Sequence, residues 1–231
     1  MDNNGFVEFI LKCGALKIGD FTLKSGRKSP YFFNSGQFDS GELITKLAGF
    51  YAQKLNSIFS LAQNDVLFGP AYKGIPLAVG CAIQLKNLFN IDVGYAFDRK
   101  VEKSHGEGTG KATKWCGKTL EKNNRVFMID DVISTAQTKI DSIELIKKLF
   151  GDIKVEALII SLDRQEVTNS DKSASQVFQD LTGVPVISVA KMSHVFKYLV
   201  SHELISKEQK QQFLDYFDQY GTEELKENCC I

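Results

Sequence analysis

Hydrophobic residues along this chain fall into two patterns: short unbroken runs, and longer stretches with an apolar residue every three or four positions. The run Val126-Phe127-Met128-Ile129 is continuous, which suits a strand buried on both faces, as parallel strands are. Similar runs at residues 66–68, 93–97, 155–162 and 184–189 predict further strands. Residues 41–55 place Leu43, Leu47, Phe50 and Tyr51 on one side of a helix. Strands separated by helical segments predict an α/β fold, a doubly wound, mostly parallel central sheet flanked by helices, with the core sheet over about residues 60–190. Before it, residues 6–11 are apolar on one helical face and Gly14 is a stop signal. Residues 21–23 and 31–33 read as short strands around a turn at 25–30. These parts predict a small N-terminal hood over about residues 1–40 of a single 231-residue domain. From Ser206 onward the chain is charged with helical spacing, which predicts a solvated surface helix.

The run at 126–129 stops abruptly at Asp130 and Asp131, then becomes the small, hydroxyl-rich segment Val132, Ile133, Ser134, Thr135, Ala136, Gln137, Thr138. Two carboxylates at the end of a core strand are out of place in a core. Open α/β sheets bind ligands outside the carboxyl ends of their strands, and a small-residue turn opening a helix presents N–H groups to an anion. The turn therefore suggests a phosphate cradle edged by carboxylates; the bland alternative is an acid pair balancing a helix dipole.

A second polar stretch, residues 99–111, holds Arg99, Lys100, Lys103 and His105 and then glycines at alternate positions. It reads either as a solvated charged loop or as a lid whose cations neutralise a polyphosphate. Its glycines miss both the dinucleotide-binding and the Walker A spacing.

Composition narrows the classes. The 43% apolar and 24% charged residues are ordinary for a globular chain, and zero net charge lacks the basic excess of a nucleic-acid binder. Five scattered cysteines without paired spacing argue for reduced thiols in the cytoplasm and against zinc. No signal-peptide pattern, membrane-length apolar run or prenylation box is expected.

The hydrophobic run followed by Asp130-Asp131-Val132 and a Ser/Thr-rich turn resembles the signature of the type I phosphoribosyltransferases, which bind 5-phosphoribosyl 1-diphosphate (PRPP). The stretches at 21–34, 68–76, 99–108 and 161–166 narrow the likeness to the orotate-specific members, over nearly the whole chain and without room for a fused decarboxylase. The resemblance implies transfer of the phosphoribosyl group to N1 of orotate, giving orotidine 5′-monophosphate and pyrophosphate. It also implies Mg²⁺ carried mainly by PRPP and water, with no protein metal ligand, and a homodimer whose lid residues reach the neighbouring site.

By that resemblance Asp130 and Asp131 would hold the ribose hydroxyls and the 134–138 segment the 5′-phosphate. Tyr72 and Lys73 would face the pyrophosphate. Lys103, with Arg99, Lys100 and His105, would serve the leaving group, Lys103 in the main catalytic role. Lys24, Phe32, Phe33 and Arg164 match substrate-contacting positions. Core packing remains open for the phenylalanines and a solvent-facing role for Arg164; His194, His202 and Trp115 carry no implied role. Ala136 stands where the family pattern has glycine, and a left-handed backbone there would cost on the order of 1–2 kcal/mol. Two other readings stay open: a non-catalytic PRPP-sensing regulator and a phosphoribosyltransferase for another base.

Overall fold

The structure is a computed structural model that describes residues 3–23, 26–100, 114–168 and 171–229. Eight strands and eight α-helices follow in the order α1 (Asn3–Lys12), β1 (Leu16–Thr22), β2 (Lys28–Phe33), α2 (Gly41–Ile58), β3 (Asp65–Phe68), α3 (Gly74–Phe89), β4 (Gly94–Asp98), β5 (Trp115–Gly117), β6 (Arg125–Ile129), α4 (Gln137–Phe150), β7 (Lys154–Asp163), α5 (Ala174–Thr182), β8 (Val186–Lys191), α6 (Met192–Ser201), α7 (Lys207–Tyr220) and α8 (Glu223–Cys229). The central sheet has the order β5-β4-β3-β6-β7-β8. Every pairing in it is parallel except β4 with β5.

Alternating side chains explain why this sheet is covered on both faces. Leu67, Phe127, Ile129 and Ile159 point into one core with α1, α2, α3 and α6. Val66, Phe68, Val126, Met128, Leu158 and Ile160 point into the other, filled from α4 and α5. This period-two division between two apolar layers is what continuous hydrophobic strands require, and it produces the expected doubly wound α/β architecture.

Local signals set the helix ends. Ser40 caps α2 by accepting from the Leu43 amide, and Ser173 and Ser206 open α5 and α7 with capping boxes closed by Gln176 and Gln209. Gly183 ends α5 in a left-handed conformation at φ 71°.

The structure departs from the sequence reading at β5, at the hairpin of β1 and β2, and at α7. Strand β5 was not expected, because three residues are too few to show periodicity; it is held by Trp115, which stacks on Phe68 at 5.0 Å and donates Nε1–H to the Lys118 carbonyl. The hairpin strands are longer than expected and take in part of the anticipated turn. Pro30 is accommodated because Gly19 and Asp20 form a bulge opposite it, where no ladder donor is needed. Finally, α7 is no solvated surface helix. Its Phe213, Tyr216 and Phe217 are buried, and Phe213 stacks on Tyr31 of β2 at 5.8 Å. The charged residues cover only its outer side, so α7 clamps the N-terminal hairpin to the body.

Asp65, fully buried at the start of β3, is neutralised by Arg125 at the start of β6 through bonds of 2.8 and 2.7 Å. Arg125→Ala would strand that carboxylate, and unfolding by denaturant is expected to show a loss of about 3 kcal/mol. Lys172→Ala, which removes an exposed pair with Asp180, is expected to change stability by less than about 1 kcal/mol.

Candidate active site

The carboxyl ends of β3, β4 and β6 meet at one edge of the sheet. Beyond β6 the chain turns at Asp130, whose amide donates to the Ile159 carbonyl and whose own carbonyl accepts from Tyr51 Oη at 2.7 Å. The Asp131 carbonyl accepts from both the amide and the hydroxyl of Ser161. Buried groups on α2 and β7 therefore fix the backbone before any ligand arrives.

The two carboxylates are both buried, at 6% and 7% exposure. They are neutralised differently. Asp130 takes the Asp131 amide on Oδ1 and the Lys139 ammonium on Oδ2 at 2.5 Å. Asp131 takes the Val132 amide on Oδ1, and on Oδ2 the Ser35 hydroxyl at 2.6 Å and the Lys73 ammonium at 2.9 Å. Burial pushes the Asp130 carboxyl above its ordinary value despite Lys139. Burial also pushes Asp131 up, but the bonds from Ser35, Lys73 and Val132 outweigh it and hold that carboxyl below the ordinary range.

Lys73 comes from the turn after β3, which lies tightly against the acid turn. A Cβ on Gly69 would sit 2.2 Å from the Gly74 carbonyl oxygen, and one on Gly74 would sit 2.7 Å from that of Ile129. Glycine at 69 therefore lets the turn close on itself, and glycine at 74 lets it approach the acid turn. Tyr72, next to Lys73, is exposed. Asp98 at the end of β4 accepts from the Ala71 amide at 2.6 Å and pairs with Lys100 at 3.1 Å, so the third strand end is tied to the same turn. Arg99 donates to Cys116 Sγ. Lys24, Lys103 and His105 lie outside the described residues.

The segment after the acids alternates buried Ile133 and Ala136 with exposed Ser134 and Thr135. No side chain caps α4, whose first residues Gln137 and Thr138 are exposed. An uncapped, 14-residue helix starting beside two exposed hydroxyls offers N–H groups and the positive end of its dipole to an anion. Ala136 has φ −67° and ψ −27°, an ordinary right-handed conformation. The expected cost of a left-handed alanine is therefore absent, and its methyl packs into the core that holds Ile143 and Phe178.

A cavity of about 750 Å³ brings Phe32, the 132–136 loop and Arg164 together, with Arg27 and Glu166 also on its wall. Asp130, Asp131, Tyr72 and Lys73 are not part of its lining. Phe32 is 40% exposed and rests on Phe21, whereas Phe33 packs towards Phe38 at the edge of the core. Arg164 is held from one side by Glu166, with Nε and Nη2 at 3.1 and 2.8 Å from Oε1, and by Tyr31 Oη at 3.2 Å from Nε. Burial works against its charge, but Tyr31 and Glu166 outweigh burial and keep the guanidinium cationic. Among the described residues no three His, Cys, Asp or Glu side chains gather as a metal site.

Ser35, Lys139, Tyr31 and Glu166 belong to this constellation and were not singled out from the sequence. Lys139 had left a signal: a lysine in the first turn of a helix opposes the helix dipole. His202 stacks on Tyr198 at the surface, and Trp115 is a core residue.

Comparison with known proteins bears on this geometry. The model of the phosphoribosyl transferase domain matches residues 34–194. An orotate phosphoribosyltransferase of Bifidobacterium longum is 43% identical over 94% of this chain and 96% of its own length. One of Nitrosococcus oceani is also 43% identical, over 96% of each chain. The chain belongs to the orotate phosphoribosyltransferase family. A crystal structure of the Francisella tularensis member of the family, 36% identical, superposes with a TM-score of 0.81 over 94% of this chain and all of that one.

Because Ala136 is unstrained, Ala136→Gly is expected to leave PRPP affinity, measured by calorimetry, within about twofold of wild type. A gain of tenfold or more would mean that the methyl obstructs the loop.

Proposed function

We propose that this member of the family transfers the 5-phosphoribosyl group of PRPP to N1 of orotate, giving orotidine 5′-monophosphate and pyrophosphate for pyrimidine nucleotide synthesis. The observation that carries the reading is the strand-end edge itself. Paired carboxylates, an open helix N-terminus with hydroxyls, and a guanidinium across a ligand-sized cavity match the ribose, the 5′-phosphate and an acidic planar base in turn.

The chemistry divides along charge. Developing positive charge on the sugar favours nearby carboxylates, and Asp131 is the one whose counter-cation, Lys73, is itself 64% exposed and replaceable. Released from Asp131, Lys73 would stand beside the departing pyrophosphate, with Arg99, Lys100 and, by family resemblance, Lys103 and His105. The exposed hydroxyls of Ser134 and Thr135 and the first amides of α4 would hold the 5′-phosphate. Arg164, already committed to Glu166 through Nε and Nη2, would offer the N–H groups of Nη1 to the orotate carboxylate. Phe32 would give the ring an apolar face.

The donor set fits a Mg²⁺ that arrives on PRPP oxygens and water better than one caged by protein, since its carboxylates are already occupied by lysines. When bound, the ion would neutralise diphosphate charge. Exposed Tyr72, Ile83, Leu88 and Tyr95, on the turn before α3, on α3 and on β4, leave apolar surface that a second copy could cover, which supports a homodimer. Reduced Cys13, Cys81 and Cys116 support a cytoplasmic setting.

Incubation with PRPP, Mg²⁺ and orotate is expected to deplete orotate absorbance; turnover of hypoxanthine or adenine with orotate untouched would overturn the base assignment. Arg164→Ala is expected to raise the KM for orotate by roughly 30-fold or more, while PRPP affinity stays within about threefold. Equal losses for both substrates would remove Arg164 from the base site.

A further inference from the structure

The first turn of α4 carries a buried cation that does not line the cavity. Lys139 is the third residue of the helix, where the dipole is positive and a lysine is unfavourable, yet its whole residue is only 8% exposed. Its ammonium ends 2.5 Å from Asp130 Oδ2. A residue that breaks a local rule at a strand-end site, and is buried doing so, is retained against a cost. The two acids thus have unlike partners: a buried lysine from the phosphate-loop helix for Asp130, and an exposed lysine from a different turn for Asp131.

We propose that Lys139 is a positioning residue of the sugar site: it is the permanent counter-cation that keeps Asp130 anionic, leaving Asp131 as the exchangeable carboxylate. This rests on the reading of the site as a PRPP site. The charged and titratable groups that face Asp130 are Lys139 from α4, Asp131 in its own turn and Tyr51 from α2, whose hydroxyl donates to the Asp130 carbonyl. Lys73 acts on it through Asp131. Burial already raises the Asp130 carboxyl and Lys139 is the largest opposing influence, so losing Lys139 can only raise it further. A protonated Asp130 would lose its acceptor charge towards the sugar. The defect should therefore be greatest in acid and fade as the pH rises through the new value.

The test compares wild type with Lys139→Met, Lys139→Gln and Lys139→Arg from about pH 5 to about pH 9, a span that brackets raised carboxyl values. PRPP binding with Mg²⁺ is followed by calorimetry and kcat/KM for PRPP by orotate consumption. The neutral variants are expected to shift the acid limb of both profiles upward by about one to three units and to approach wild type at the alkaline end. Lys139→Arg should restore most of the wild-type limb. Unchanged profiles, or losses equal at every pH, would overturn the proposal, since a purely structural role has no such dependence. If neither neutral variant folds, carbon NMR of labelled aspartate in the wild-type protein decides: Asp130 ionised at neutral pH supports the role and protonated Asp130 overturns it. Binding needs no orotate, so a wild type that binds PRPP with this pH dependence but ignores orotate would overturn the base assignment alone.

Discussion

The structure turns on the neutralisation of two buried carboxylates at the end of one strand. An isolated ionised carboxylate in a protein interior is costly enough that it would protonate or unfold its surroundings. Asp130 and Asp131 persist together because separate elements deliver a cation to each: α4 brings Lys139 and the turn before α3 brings Lys73. Much of the local architecture serves that delivery. Gly69 lets the turn before α3 close on itself and Gly74 lets it touch the acid turn, Ser35 adds a hydroxyl from beyond the hairpin, and Tyr51 and Ser161 clamp the backbone.

The same constraint links fold to function. A carboxylate paired with an exposed lysine is a poised acceptor, because a polyphosphate can take the lysine and free the oxygen for a sugar hydroxyl. A carboxylate paired with a buried lysine is part of the frame. On the cavity wall a comparable frame holds Arg164, and it reaches the C-terminal part of the chain. Phe213 of α7 stacks on Tyr31, Tyr31 bonds to Arg164 and Glu166, and Glu166 fixes the guanidinium. Helix α7 thus steadies the Arg164 side of the cavity through the hairpin it covers.

Much of this was legible in the chain. The parallel strands were readable because burial on both faces leaves continuous apolar runs, and the acid turn because charge so rarely follows one directly. The 41–55 helix was readable from its period, and its observed extension to Ile58 is an ordinary difference of boundary. The partners were harder. Nothing local says that Ser35 meets Asp131 across 96 residues, or that Phe213 meets Tyr31, since such contacts depend on how layers stack. Strand β5 was too short for periodicity, and the burial of α7 was masked by the charged residues on its outer side. Ala136 misled because glycine in a family pattern suggests a left-handed backbone, whereas this loop passes through the right-handed region.

The central claim is that the acid turn holds the sugar of PRPP with Asp131 as its exchangeable carboxylate. Calorimetric titration of Asp131→Asn with PRPP and Mg²⁺ at neutral pH tests it most directly, because the amide keeps the shape and one acceptor while removing the charge. Affinity is expected to fall roughly 30- to 100-fold, the scale of lost charge-assisted bonds. Binding within about twofold of wild type, in a variant shown to be folded, would contradict it.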